Sequence, residues 1–518
     1  MPIHASNHEP SPTVCRVVQQ SSFIMKTSPP FWFEPAPWID GAWRQPDRRV
    51  GDPFTVRNPA TGALLAEVGR ADAGSVTAAI EGAARAGRGW RELPAAARGE
   101  ILKRTAAALF ARRDEFARLL TAEQGKPYLQ AAGEVDYAAS FFQWFGEEAR
   151  RVHGRIVPHP EPGREFLVEQ RPAGVAGLIT PWNFPLAQGA KKVAAALAAG
   201  CTAVWKPAEA TPLVALALAP ILAEAGLPAG VLQIVPGKGS VVGPVLAAHP
   251  HVRVLSLTGS TATGSSLIAA AAPGIKRLSL ELGGNAPFII LPDADLDFVS
   301  DQLVRLKMFV SGQVCVTANR IFVPADREAE LIERLSALIA GLKVGDGLAE
   351  GVDAGPLIHA AASRDVCSRV AEAVAAGAKI VAENRSFEST PGLCVENFSP
   401  PTVVAGVSDS MRLAREEIFG PVIPLLSYRT LPEAVERANA TPYGLAAYVY
   451  GTDLARLRAV ASALEAGIVG VNEWRPLKAE IPFGGVKQSG IGAEGGEEGI
   501  REFLETRVIS IPKPEVVG

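Results

Sequence analysis

Cys315 stands in SGQVCVTANR (311–320), three residues after Gly312, in a chain of 518 residues with five cysteines. A thiol there can fill space as a small buried hydrophobe. As a thiolate it can attack an electrophilic carbon. The second use needs a donor for the oxyanion that forms and a base that moves protons. Both residue types are present. Asn183 sits in TPWNFP (180–185), between Pro181 and Pro185, so its side-chain amide is presented for donation; a plain turn asparagine is the commoner use. Glu281, in LELGGNAP (280–287), follows the strand-like KRLSL and precedes two glycines. A carboxylate at an apolar strand end is costly unless paired, protonated or functional.

Other segments suit a phosphorylated or ribose-bearing ligand. LTGSTATG (257–264) runs from strand to helix with Gly259, Ser260 and Gly264, so backbone N–H groups can approach phosphate. It lacks the GxGxxG spacing, and alone it reads equally as a simple turn. WKPAEATP (205–212) places Lys206 and Glu209 at a strand's C-terminal end, where they could hold ribose hydroxyls or form a surface ion pair. EEIFGPV (416–422) sets an acidic pair before a Gly-Pro turn. PFGGVKQSGIGAEGG (482–496) is a glycine-dense loop, either a linker or a wrap over a ligand.

The elements carrying these residues follow from periodicity. VAGLIT (175–180), CTAVWKP (201–207), VLQIVPG (231–237) and VRVLSLTGS (252–260) read as strands. Helices at 186–199, 211–225 and 240–248 separate them, which implies a parallel sheet wound by crossovers. A second such series runs from 299 to about 470. WIDGAW from Trp38 and NPATGALLAEV (58–68) read as hairpins. Residues 73–120 read as helix broken at Leu93-Pro94, and 129–150 as a long amphipathic helix whose Phe141, Trp144 and Phe145 share one face. RVISIPK (507–513) reads as a strand with no obvious local partner; it could pair across a subunit boundary or be a plain edge.

The length implies two or three domains. A net charge of −3 without a basic block argues against nucleic acid, and no uninterrupted apolar run is long enough for a membrane span. Cysteines without CxxC spacing indicate neither zinc nor a disulfide framework, and fit the cytoplasm. Residues 1–30, rich in Ser, Pro and Gln, read as a disordered extension, with Met25 as an alternative start.

FVSGQVC (309–315), LELGGN, PWNFP, KPAE, TGS, EEIFGPV and PFGGVKQSG, in their order along the chain, resemble the aldehyde dehydrogenase superfamily from about Trp38 to Lys513. The 34-position spacing from Glu281 to Cys315 fits that pattern, and AALAAGCTAVWKPAEATP is similar to the succinate-semialdehyde dehydrogenase branch. The resemblance implies an α/β fold. A Rossmann-type NAD-binding domain would cover 31–152 and 172–283, and an α/β catalytic domain 284–483. Oligomerisation strands at 153–171 and 503–518 would make a homodimer or homotetramer. It implies Cys315 as nucleophile, the Asn183 amide and Cys315 N–H as oxyanion donors, Glu281 as base and Glu494 as a second, proton-relaying carboxylate. Thr180, Pro181, Trp182, Asn183, Lys206, Pro207, Ala208, Glu209, Gly259, Ser260, Leu282, Glu417 and Phe419 would contact the dinucleotide, with no metal. A carboxylate at Glu209 accepts from free ribose hydroxyls and repels a 2′-phosphate, so NAD is expected over NADP.

The substrate end departs from that branch. Phe309 and Lys191 stand where its members typically carry arginines, and Leu477 where they carry serine. Lys191 and Arg475 remain as cations, with Lys478 nearby; Phe309, Phe145, Trp144, Trp474, Leu477 and Phe483 supply walls. An aldehyde bearing an anionic group is expected, with Lys191 meeting it and Lys192 pointing elsewhere. A neutral aromatic or aliphatic aldehyde, a coenzyme A-acylating reaction (disfavoured by Glu281) and a non-enzymatic relative are the alternatives.

Overall fold

The computed structural model describes residues 32–45 and 52–513. The expected disordered stretch 1–30, with Met25, lies outside the described residues.

Five strands form one parallel array: Val175–Ile179, Thr202–Lys206, Leu232–Ile234, Val252–Thr258 and Arg277–Glu281. Numbered along the chain they lie in the order 3-2-1-4-5. Continuous apolar runs such as VAGLI and TAVWK are what a sheet covered on both faces requires. The order reverses between Val175–Ile179 and Val252–Thr258, so a crevice opens beyond their C-terminal ends. Trp38–Ile39 and Ala42–Trp43 add a hairpin at one edge. At the other, Gly490–Ile491 pairs with Leu280 and Glu281. The glycine-rich loop is therefore stitched to the sheet, which draws on residues outside 172–283.

Helix Pro185–Ala199 is buried along its whole length. Its alanines and glycine let it lie close to the sheet. A Cβ at Gly189 would come within 2.1 Å of the Trp205 ring. Trp205 in turn donates its Nε1–H to Thr180 Oγ1 at 2.9 Å, so helix, strand and the loop after Ile179 are locked together.

The second series is a seven-stranded sheet, parallel but for the edge strand Lys379–Glu383. It begins at Ala286–Ile290, earlier than expected. Alternation splits that strand between two cores. Phe288 and Ile290 face the side covered by helices Leu296–Met308 and Glu328–Gly341, while Ile289 faces the opposite core with Val366 and Leu457.

The tail finds its partner within the chain, in a distant segment. Leu504–Pro512 pairs antiparallel along nine residues with Arg164–Pro172, which pairs with Arg155–Pro158. The two segments are over 300 residues apart, which is why a reading of neighbours missed the ladder. The helical region breaks at Leu93-Pro94 as expected and again at Arg112. The helix after it is Tyr128–Glu148. No helix among the described residues is long and apolar enough to cross a membrane.

Candidate active site

Cys315 follows a strained turn. Helix Leu296–Met308 ends at Phe309, and Val310 and Ser311 then adopt φ of 50° and 53°. Gly312 continues at φ 75°, where a Cβ would lie 2.1 Å from the Gly420 carbonyl oxygen, so only glycine fits. Gln313 fastens the turn. Its Nε2 donates to the Val310 and Pro356 carbonyls, and its Oε1 accepts from Ile358 N–H. Strain held by surrounding bonds is characteristic of functional turns.

The half-buried Cys315 lies where two cavities meet. Burial, then the Glu417 carboxylate, pushes its thiol up to about 12, against the nearby Lys191 charge. The free protein therefore holds a thiol whose proton must leave during attack. Asn183, buried before helix Pro185–Ala199, donates Nδ2–H to the Gln313 carbonyl at 2.9 Å. That bond ties the amide to the turn bearing Cys315.

Glu281 ends strand Arg277–Glu281 and is 1% exposed, and neither carboxylate oxygen has a hydrogen-bond partner among the described residues. Burial raises its proton affinity well above the ordinary carboxylate range, and the Glu494 charge raises it further. A buried, unpartnered carboxylate is the profile of a group kept for proton transfer. Glu494 is held opposite Phe483 by a pair of backbone bonds. Its carboxylate pairs with Lys191 at 2.6 Å and with Lys192, which also donates to Ser256 Oγ. Burial alone would raise Glu494, but the two ammonium charges outweigh it and keep it low. Lys191 and Lys192 thus converge on one carboxylate, and Lys192 does not point away as expected. Helix direction separates their Cβ atoms, but long flexible stems bring both ammonium groups to the one buried anion.

The larger cavity, of about 600 Å³, opens at the sheet's reversal point. Thr180, Pro181, Trp182, Asn183, Lys206, Gly259, Ser260, Leu282, Glu417 and Phe419 line it; Pro207, Ala208 and Glu209 lie outside its lining. Ser260 caps helix Thr261–Ala271 by accepting from Thr263 N–H, so a helix N-terminus faces the cavity beside Gly259. Phe419 stands edge-on to Trp182 at 5.4 Å. Glu417 accepts from Gly284 N–H at 3.3 Å. Size, helix terminus and ribose-suited carboxylate fit a nicotinamide dinucleotide, which these residues would hold in a cavity that Cys315 also lines.

The smaller cavity, of about 60 Å³, is walled by Phe309, Trp474, Arg475, Leu477, Phe483 and Lys191, with Tyr137, Phe184 and Tyr448. Phe309 packs against Phe184 and Trp474 at 5.7 Å each, and Arg475 covers its ring at 4.9 Å. Phe145 is not a wall: it is buried in the core beside Phe141 and Gly499. Trp144 lies outside the cavity and donates to the Gly496 carbonyl. Tyr137, one helical turn before Phe141, takes the place expected of them. Its position on the same stripe was the available signal, and the strength of the later aromatics hid it. Lys478 is exposed and outside the lining.

Comparison with known proteins agrees with this geometry. The aldehyde dehydrogenase family model matches residues 43–509. The chain is 44% identical to 3-sulfolactaldehyde dehydrogenase of Pseudomonas putida, covering 92% of this chain and 96% of that one. It is 42% identical to succinate-semialdehyde dehydrogenase [NADP(+)] of Escherichia coli, covering 91% and 97%. The crystal structure of succinate-semialdehyde dehydrogenase from Burkholderia pseudomallei superposes with a TM-score of 0.89 at 42% identity, covering 94% and 100%. With a dinucleotide-sized crevice, a cysteine thiol at its end and a match along nearly its whole described length, this chain belongs to the aldehyde dehydrogenase family and is an NAD(P)-dependent aldehyde-oxidising enzyme.

Proposed function

We propose that the enzyme oxidises a short aldehyde carrying an anionic group, and that Arg475 anchors the anion. The carrying observation is that Arg475 lines the cavity of Cys315, partly buried, with no carboxylate within ion-pair distance among the described residues. Burial lowers its proton affinity without displacing its charge. Lys191 is already matched to Glu494, so Arg475 is the unmatched cation. The substrates named for the Pseudomonas putida and Escherichia coli relatives, a sulfonated aldehyde and a carboxylated one, are of this class.

In this reading Cys315 Sγ attacks the aldehyde carbon as its proton passes to solvent through the larger cavity that it lines. The oxyanion is met by Asn183 Nδ2–H, turned from the Gln313 carbonyl, and by Cys315 N–H. The dinucleotide, when bound, supplies the hydride acceptor. The resulting Cys315 thioester is cleaved by water whose proton goes to Glu281. Glu494 with its lysines relays that proton onward. Glu281 makes hydrolysis, rather than transfer to coenzyme A, the outcome.

We favour NAD, because the Glu209 carboxylate at the adenosine end disfavours a 2′-phosphate. The alternative, NADP, is favoured by Arg70, whose guanidinium lies 4.0 Å from Glu209 and offers a cation beside Lys206, and by the coenzyme named for the Escherichia coli relative. We further read the protein as a cytoplasmic homodimer or homotetramer. Exposed Ile156 and Val508 on the three-stranded sheet suit a pairing element.

Following reduced coenzyme at 340 nm with succinate semialdehyde, a sulfonated aldehyde, propanal and benzaldehyde, each with NAD and NADP, tests both points. Higher kcat/KM on the charged aldehydes supports the reading, and equal values refute it.

A further inference from the structure

Asn183 is useful only if its amide is fixed relative to Cys315, and the bonds that fix it converge on one corner. The corner is the loop between helices Arg113–Gln124 and Tyr128–Glu148. Lys126, in that loop, is fully buried with Glu134 from the following helix, and the two pair at 2.5 Å. Lys126 Nζ also donates to the backbone carbonyl of Asn183 itself, at 2.6 Å, and lies over the Phe184 ring at 4.2 Å. The other Glu134 oxygen accepts from Leu186 and Ala187 N–H at 3.0 and 3.1 Å. These are free donors of the first turn of the helix that Asn183 precedes, where a carboxylate is favoured.

The same corner holds the turn of Cys315. Gln130 Oε1 accepts from Val310 N–H at 2.8 Å, where the backbone is strained. Gly125 packs on Pro356, and a Cβ at Gly355 would meet the Gly125 carbonyl at 2.1 Å. Gly355 and Pro356 accept in turn from Ser311 Oγ and Gln313 Nε2. Two segments that are 130 residues apart are thus referenced to one rigid point.

We infer that the buried Lys126–Glu134 pair is a positioning device for the oxyanion amide, holding Asn183 in register with Cys315. Apolar residues would fill that interior at lower desolvation cost, and a charged pair without a geometric task is weak evidence of stabilisation. Here the pair grips the peptide of Asn183 on one side and the next helix's first turn on the other. Misplacement of a catalytic donor by about 1 Å can cost on the order of a hundredfold in rate.

The inference rests on the reading of Asn183 as oxyanion donor, and a double-mutant cycle separates the two. Wild type, Lys126→Met, Asn183→Ala and the double variant are compared by the pre-steady-state burst of reduced coenzyme from succinate semialdehyde, with the coenzyme the wild type uses faster. Dissociation constants for that coenzyme are measured alongside. Lys126→Met is expected to slow the burst about ten- to a hundredfold with coenzyme affinity within about twofold, and to add less than about threefold in the Asn183→Ala background. Should Lys126→Met fail to fold, Glu134→Gln carries the same cycle, since Gln keeps an oxygen for the helix N–H groups and removes the charge holding Lys126. A full multiplicative loss in the double variant, or an unchanged burst in Lys126→Met while Asn183→Ala is slow, overturns the positioning role alone. An unchanged burst in Asn183→Ala overturns the oxyanion assignment and the inference with it.

Discussion

Replacing Glu281 by glutamine should make the enzyme sturdier as it stops turning over. The carboxylate is 1% exposed, without a hydrogen-bond partner among the described residues, and faces the Glu494 charge. Its proton affinity in the folded state is therefore raised above that of the unfolded chain. For such a group the stability contribution is complete below the unfolded value, near 4.3, and is lost as pH rises through the folded one. As pH rises, the wild type increasingly carries the cost of ionising a buried, unpartnered carboxylate, about 1–3 kcal/mol or somewhat more. Glutamine has the same shape and no charge, so the variant should unfold at higher temperature at pH 8, with the gap shrinking as pH falls towards 5. Fluorescence-monitored melting at several pH values measures this. In the same variant, one equivalent of reduced coenzyme should appear at near wild-type rate. Turnover should then slow about 10²–10⁴-fold, with the acyl group trapped on Cys315 and visible by mass. A variant less stable at pH 8, or a gap indifferent to pH, would refute the picture of a strained buried base. Loss of the burst would show that Glu281 also takes the thiol proton.

Cys315→Ala should abolish aldehyde oxidation and leave the dissociation constant for the dinucleotide within about twofold, measured by quenching of protein fluorescence. Arg475→Met should raise KM for succinate semialdehyde about ten- to a hundredfold, the worth of a charge-assisted bond, and leave propanal unchanged. Lys191→Met, which strips one cation from Glu494, should instead lower kcat for both aldehydes alike; a loss confined to the charged one would return the anion site to Lys191. Glu209→Ser should shift the NADP/NAD ratio of kcat/KM upward by freeing Arg70 and Lys206 for a 2′-phosphate, and an unchanged ratio would place Glu209 away from the adenosine ribose.

What the sequence determined by itself was local in origin. The helix break at Leu93-Pro94, the strands of VAGLIT and CTAVWKP, the hairpin at WIDGAW and the helix 186–199 follow from backbone and burial preferences that neighbouring residues carry. The motifs around Cys315, Asn183 and Glu281, taken with the others in their order, resembled the aldehyde dehydrogenase family, which the family match bears out. What only the tertiary structure decided joins residues far apart in the chain. Lys191 and Lys192 share Glu494 because the 483/494 bridge brings that carboxylate under their helix. Phe145 is core and Tyr137 is wall because helix Tyr128–Glu148 crosses the smaller cavity one to two turns before its aromatic cluster. The tail strand finds 164–172, and Gly490–Ile491 finds the edge beside Glu281, through ladders between distant segments. Lys126 was silent in the sequence, since a lysine in a Gly-Lys-Pro turn reads as solvated surface. Only the fold buries it and sets a carboxylate and the Asn183 carbonyl around its ammonium group. Charge pairing in a dry interior depends on which chains meet there, and no short window of sequence carries that information.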